Sequence, residues 1–173
     1  MSDHPDVVAR SLPEANQDVA RLGPDAAVIS IGSPDGPLPY GFDPSNPLHV
    51  RLEFHDVIDE GLTFDEAVGV EIHPPRPEHA ERICGLAETL EEANFVYCHC
   101  NAGVSRSTAT AYILRCIWNG PGCEVDCLED VVEDRPMAQP NELLVRYADE
   151  HLGRDGAMLE ALEELDDTLS QRY

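Results

Sequence analysis

Apolar residues fall in short runs over the first third of the chain and at helical spacing thereafter. Asp6-Val-Val-Ala-Arg10 suits a short strand, and Pro13–Leu22 a helix with proline near its first turn. Ala26-Ala-Val-Ile-Ser-Ile31 predicts a short buried strand, stopped by Gly32. Residues 32–47 are rich in Gly, Pro and Asp and predict a loop. Leu48–Phe54 alternates as a strand does and ends at His55-Asp56. Residues 57–76 show little period, and Pro74-Pro75-Arg76-Pro77 punctuates that stretch. Within Glu78–Ala93, Ile83, Leu86, Ala87 and Leu90 share one helical face. Phe95-Val-Tyr-Cys98 is an apolar run before a loop, and Ser107–Trp118 a helix-forming run after it. Helices are predicted over Glu124–Glu133 and Asn141–Leu152, with Asn141 placed to cap the second. The acidic tail, Leu159–Leu169, suits a surface helix or a frayed end. Strands alternating with helices predict an α/β fold: a central, mostly parallel sheet of about four or five strands with helices on both faces.

At 173 residues the chain is long enough for one domain with a real core. Charge changes the picture more. The chain holds 34 acidic and 11 basic residues, a net −23, and every basic residue is Arg. That balance argues against a nucleic-acid partner, which needs a cationic surface. It leaves two readings of the acidity open, a salt-adapted interior or simply an acidic protein. No run of 18 apolar residues exists, and Met1-Ser-Asp-His-Pro-Asp6 does not read as a secretory leader. A cytoplasmic protein with no membrane partner is expected, its six cysteines mostly reduced.

The chemistry concentrates in residues 98–108, Cys-His-Cys-Asn-Ala-Gly-Val-Ser-Arg-Ser-Thr. Cys100 and Arg106 stand at Cys-x5-Arg spacing between a predicted strand and a predicted helix. Backbone N–H groups of such a loop and the positive end of the helix converge on one point, which makes an anion cradle. A cysteine there is the thiol most readily ionised. Arg106 adds a planar fork matched to two phosphate oxygens. In a parallel sheet this loop would lie beyond the carboxyl ends of the strands, where ligands bind.

His99 to Thr108 resembles the active-site loop of the cysteine-dependent protein tyrosine phosphatases, most closely the compact dual-specificity branch. Arg135-Pro-Met-Ala-Gln-Pro-Asn141 before a Leu-rich helix is similar to the segment that follows the loop in that branch. With Ile29-Ser-Ile-Gly32, Phe54-His-Asp56 and Tyr147-Ala-Asp149, the chain resembles a small group of predicted bacterial and archaeal tyrosine phosphatases. The likeness spans roughly residues 6–155. It implies a phosphatase-like domain over 1–155 and an acidic helix or tail over 156–173.

The resemblance implies a phosphomonoesterase that works through a cysteinyl-phosphate, with no cofactor and no metal. Cys100 would be the nucleophile. Arg106 and the backbone N–H groups of Asn101, Ala102, Gly103, Val104, Ser105 and Arg106 would hold the phosphoryl oxygens. Ser107 would donate to the sulfur as it departs. His99 would support the loop and help keep the thiol deprotonated. Asn141 would buttress the loop or cap its helix. The general acid would be an Asp after an upstream strand. Asp56 fits best, ahead of Asp59 and Asp65, with Asp35 on a different loop. The spacing from Asp56 to Cys100 is 44 residues, longer than is usual in that branch, which places an insertion in 57–77.

Substrates would be a phosphorylated protein or a small phosphomonoester; the oligomeric state is left open. Rival readings are an inositol phosphate phosphatase, an RNA 5′-phosphatase, a rhodanese-like sulfur carrier and a phosphate-binding module without turnover. Neutral Asn101, Ala102, Val104 and Ser105 weigh against the first, and the acidic composition against the second. The His99 and Ser107 context weighs against the third. Cys98-His99-Cys100 and Cys123-x3-Cys127 match no tetrahedral ligand framework. Cys84, Cys98 or Cys123 could pair reversibly with Cys100 under oxidation.

The salt reading is testable. A salt-adapted chain gains activity and thermal stability as KCl rises to ~1 M, where the Debye length falls to ~3 Å. No gain in either measurement removes that reading.

Overall fold

The computed structural model describes residues 4–170, with side chains through residue 167. Strands β1 (Asp6–Ser11), β2 (Ala26–Gly32), β3 (His49–Glu53) and β6 (Phe95–Cys100) form a parallel sheet in the order β1-β6-β2-β3. Two further short strands, β4 (Phe64–Asp65) and β5 (Val70–Glu71), pair as a separate antiparallel ribbon. That ribbon occupies the stretch without clear period, where an insertion was expected.

Helix α1 (Leu12–Asp18) follows β1, and a tightened turn extends it through Arg21. The remaining helices are α2 (Pro77–Leu90), α3 (Arg106–Asn119), α4 (Glu124–Asp134), α5 (Glu142–Leu152) and α6 (Ala157–Ser170). The sheet is covered unequally. Along β6 the pleat sends Val96, Cys98 and Cys100 into a large core shared with α2 to α6. Tyr97 points the other way, into a small cluster with Ala15, Val19 and Val28 beneath α1. Strand β2 is buried over its full length, as expected of a central parallel strand.

Helix α3 is buried from Arg106 through Leu114 and at Cys116, so it shows little amphipathic contrast. It runs through the middle of the helical layer, directly after β6. The register of β6 fixes two neighbours of the site: Ser11 lies opposite Cys100, and Ser30 opposite His99.

The tail is helical and its first turn is built into the core. Met158 is fully buried; its N–H donates to Asp149 Oδ2 at 2.9 Å, and its carbonyl accepts from the Tyr112 hydroxyl at 3.1 Å. Asp149 Oδ1 also accepts from Gly156 N–H at 2.7 Å, so a side chain of α5 satisfies the first donors of α6. Leu159, Leu162 and Leu165 pack against the main core. Among the described residues no helix is long and apolar enough to cross a membrane.

Asp149→Ala strands those two donors, of which the Met158 N–H is buried. It is expected to lower stability by about 2 kcal/mol in urea unfolding and to loosen α6 first, read as faster amide exchange there.

Candidate active site

The loop between β6 and α3 owes its shape to five carbonyls, each held by a donor outside it. Asn101 C=O accepts from Leu12 N–H at 3.1 Å, Val104 C=O from Gln139 N–H at 2.8 Å, and Ser105 C=O from Asn141 N–H at 3.2 Å. Arg135 takes the other two: Nε donates to Gly103 C=O at 2.9 Å and Nη2 to Ala102 C=O at 3.3 Å. In a planar trans peptide the carbonyl and the following N–H point in opposite directions. Carbonyls 101–105 turned outward therefore turn N–H groups 102–106 inward.

Arg135 is itself fixed. Its Nη1 pairs with Glu14 Oε1 at 2.9 Å. Glu14 belongs to the Ser11–Glu14 capping box that opens α1. Burial pushes the Glu14 carboxyl up, but hydrogen bonds from Ser11 and Arg135 outweigh it and hold it at about 2. The Glu14 carboxyl is therefore ionised near neutral pH.

Cys100 sits at the base of the loop, almost fully buried. Its sulfur accepts from Gly103 N–H at 3.3 Å and lies 3.2 Å from Ser107 Oγ. Gly103 adopts a positive φ of 69°. A Cβ there would lie 2.5 Å from Arg10 C and Ser11 N, so the loop is seated against the end of β1 and has no room for a side chain.

Arg106, the first residue of α3, is 4% exposed. Its Nη1 donates to Phe54 C=O at 2.7 Å, while its buried Nε has no hydrogen-bond partner. An unpaired buried donor costs about 1–3 kcal/mol. An oxyanion held in the loop would relieve it. The arrangement thus suits a tetrahedral oxyanion above the Cys100 sulfur.

His99 is buried beneath the loop. Its Nε2 lies 2.8 Å from Ser30 Oγ, which also accepts from Arg51 Nη1 at 2.9 Å. A carbonyl only accepts, so the 3.5 Å contact to Cys100 C=O places the ring proton on Nδ1 and leaves Nε2 to accept from Ser30. Burial pushes the imidazole down to about 4, so the ring is neutral near pH 7. Its contacts are with Ser30 and the Cys100 carbonyl; none is with the sulfur.

The four candidate acids are placed very differently. Asp56 Oδ1 accepts from Ser105 Oγ at 2.5 Å and from Asn141 Nδ2 at 2.9 Å, which seats its carboxyl on the rim of the loop. Asn141 Nδ2 also reaches Val57 C=O at 3.2 Å, and Asn141 Oδ1 accepts from Leu144 N–H at 3.0 Å. One buried side chain thus caps α5 and holds the Asp56 segment. Asp59 Oδ1 instead closes a turn with Gly61 N–H, and Asp65 Oδ1 does so with Ala67 N–H. Asp35 stands in a turn with positive φ. Glu60 ties the same segment to α5 through the Tyr147 hydroxyl at 2.6 Å and Arg146 Nη2 at 3.0 Å.

A cleft of 680 Å³ opens on this rim, lined by loop residues Ala102, Val104 and Ser105, by Asp56, and by side chains of α6. All six cysteines are free thiols. Among the described residues no group of three or more His, Cys, Asp or Glu is placed to hold a metal ion.

Sequence reasoning assigned no role to Arg135, Glu14, Ser30 or Arg51. Ser11-x-x-Glu14 was readable as a capping box. The reach of Arg135 to residues 14, 102 and 103 leaves no local trace.

Neither a protein-family model nor a curated protein matches the chain. Solved structures do. DUSP15 is similar at 19% identity and a TM-score of 0.59, with 100% of this chain and 96% of that one covered. Human DUSP28 is similar at 18% identity and a TM-score of 0.57, covering 96% and 97%. PTPMT1, solved in complex with PI(5)P, is similar at 15% identity and a TM-score of 0.50, covering 90% and 97%. The chain therefore has the fold of the cysteine-dependent protein tyrosine phosphatases, in its dual-specificity-like form.

Gly103→Ala drives a Cβ into the backbone of β1 and must displace the inward N–H groups. It is expected to weaken binding of vanadate or tungstate by at least ~10²-fold, a cost typical of a roughly 1 Å misplacement, with far-UV circular dichroism unchanged.

Proposed function

We propose that the protein is a phosphomonoesterase of the protein-tyrosine or dual-specificity type, acting through a cysteinyl-phosphate. The observation that carries the reading is the outward pinning of carbonyls 101–105 around the Cys100 sulfur. It leaves a ring of inward N–H groups, and Arg106 supplies a buried donor still without a partner.

The steps follow from these atoms. The Cys100 thiolate attacks phosphorus in line, and the P–O bond breaks with its electron pair on the departing oxygen. Asp56, in its protonated form, gives that oxygen a proton. The loop N–H groups and Arg106 hold the equatorial oxygens, whose charge they stabilise throughout. Asp56, now a carboxylate, takes a proton from water as the water attacks phosphorus. The S–P bond breaks, the pair returns to sulfur, and the Ser107 hydroxyl at 3.2 Å donates to the thiolate. His99 holds the carbonyl of the nucleophile from below. The cradle supplies the positive field that a metal supplies in other phosphatases. Asp56 is preferred as the acid because it alone of the four candidates bonds to the loop.

The test is hydrolysis of para-nitrophenyl phosphate with EDTA present, at low and at molar KCl. Wild type is expected to turn over and to be blocked by vanadate, and Cys100→Ser to lose at least ~10³-fold. Asp56→Ala is expected to slow phosphate esters with poor leaving groups by ~10²-fold or more, and those with good ones far less. Equal effects on both remove Asp56 from the acid role. A folded wild type that binds phosphopeptide without turnover at either salt replaces the enzyme with a phosphate-binding module.

A further inference from the structure

We propose that α6 is the substrate-selecting wall of the cleft, and that Glu142, Leu165 and Asp166 select a phosphorylated residue flanked by basic side chains. The proposal rests on the phosphatase reading above and names its substrate class.

The cleft has two unlike components. Where it meets the phosphate loop it is lined by Ala102, Val104 and Ser105, beside the N–H ring and Arg106 that would receive one phosphoryl group. Its sides are apolar and acidic. Ile58, 67% exposed, stands on the Asp56 side, and Leu162 and Leu165 stand on the α6 side. Aliphatic walls of this kind suit a flat aromatic stem better than a slender one. The acids in the lining are Asp56, Glu142 and Asp166, and among the described residues the lining holds no Arg, Lys or His. Among the described residues that line the cleft, nothing is placed to neutralise a second phosphate; Arg146 lines an adjoining pocket with Ile58 and Glu142 and is paired with Glu60. A phosphoinositide headgroup or an RNA end would bring further negative charge against these carboxylates. Arginine or lysine beside the phosphorylated residue would meet them favourably, in a concave site whose apolar walls concentrate the field.

The wall is also preorganised. Asp149 and Tyr112 anchor α6 at Met158, and Leu162 and Leu165 pack on the core, so binding need not order it.

The test uses the full chain and two phosphotyrosine peptides of equal length, one with Arg and one with Glu on both sides of the phosphoresidue. The expected ratio of their kcat/KM values is at least ~10 in favour of the basic peptide at low salt, shrinking toward one at ~1 M KCl as screening sets in. In Glu142→Arg/Asp166→Arg the ratio is expected to fall at least fivefold. Leu165→Ser is expected to reduce the preference for phosphotyrosine over phosphoserine peptides. Each is a ratio within one protein, so partial loss of folded material cancels. A basic preference untouched by the double variant would belong to the net charge of the whole chain and overturn the proposal. So would turnover of a soluble PI(5)P analogue matching that of the basic peptide. If wild type hydrolyses para-nitrophenyl phosphate but the wild-type ratio is near one at low salt, this inference fails alone. If para-nitrophenyl phosphate is not turned over, the phosphatase reading fails first.

Discussion

Five consecutive carbonyls turned away from one sulfur are the constraint on which the site depends. A loop of this length has no internal ladder to fix its peptide planes, so each must be held from outside. The donors come from four separate places: the start of α1, the end of α4, the segment before α5, and the cap of α5. The first turn of α3 adds local donors, from Thr108 and Ala109, only to Val104 and Ser105 C=O; the carbonyls of 101 to 103 are held by distant segments. The fold is the means of bringing them together, and the parallel pairing of β1 with β6 is its central step. That pairing sets Ser11 against Cys100 and presses Gly103 onto the β1 backbone.

The same logic links the loop to Asp56. Asn141 donates its N–H to Ser105 C=O, its side-chain amide to Asp56, and accepts from Leu144 N–H through its carbonyl oxygen. A helix cap, a loop support and a carboxylate anchor are thus one residue, 1% exposed. The reading that left cap and buttress as alternatives treated as exclusive two roles that use different atoms. Ser105 closes the triangle by donating to Asp56. Displacing the Asp56 segment would therefore disturb the cradle, and deforming the cradle would release the carboxyl.

How much of this was legible follows from how local each feature is. Strand, loop and helix around Cys100 were readable because an apolar run, a Cys-x5-Arg spacing and a helix-forming run lie within about 25 residues. The α5 face and its cap were readable for the same reason. Residues 57–76 gave no period because they form only a two-residue ribbon with exposed Phe64, Val68 and Val70. Helix α1 came out shorter than its pattern suggested, since its last turn tightens before Leu22. What stayed hidden was long-range: Arg135 to Glu14 spans 121 residues, and the start of α6 is fixed by an aspartate of α5 and a tyrosine of α3. An acidic, amphipathic tail reads as solvated until those partners are in place.

The distribution of arginine gives the strong negative charge a structural meaning. With 11 arginines against 34 acids, cations are scarce, and several of them face inward onto backbone carbonyls. Arg51 bonds Gly36 C=O, Arg115 bonds Val7 C=O, Arg135 bonds two loop carbonyls, and Arg154 bonds Cys116 C=O beside its buried partner Glu124. A guanidinium suits this work, because its planar fork can serve a carbonyl and a carboxylate at once, which an ammonium on a flexible stem does less well. Arg10 does the same with Ala9 C=O and Asp134. Cations committed to scaffolding are not available to line the cleft, whose charged side chains among the described residues are all acidic. At the loop itself the inward N–H groups and the buried Arg106 stand as the positive counterpart to that acidic surround.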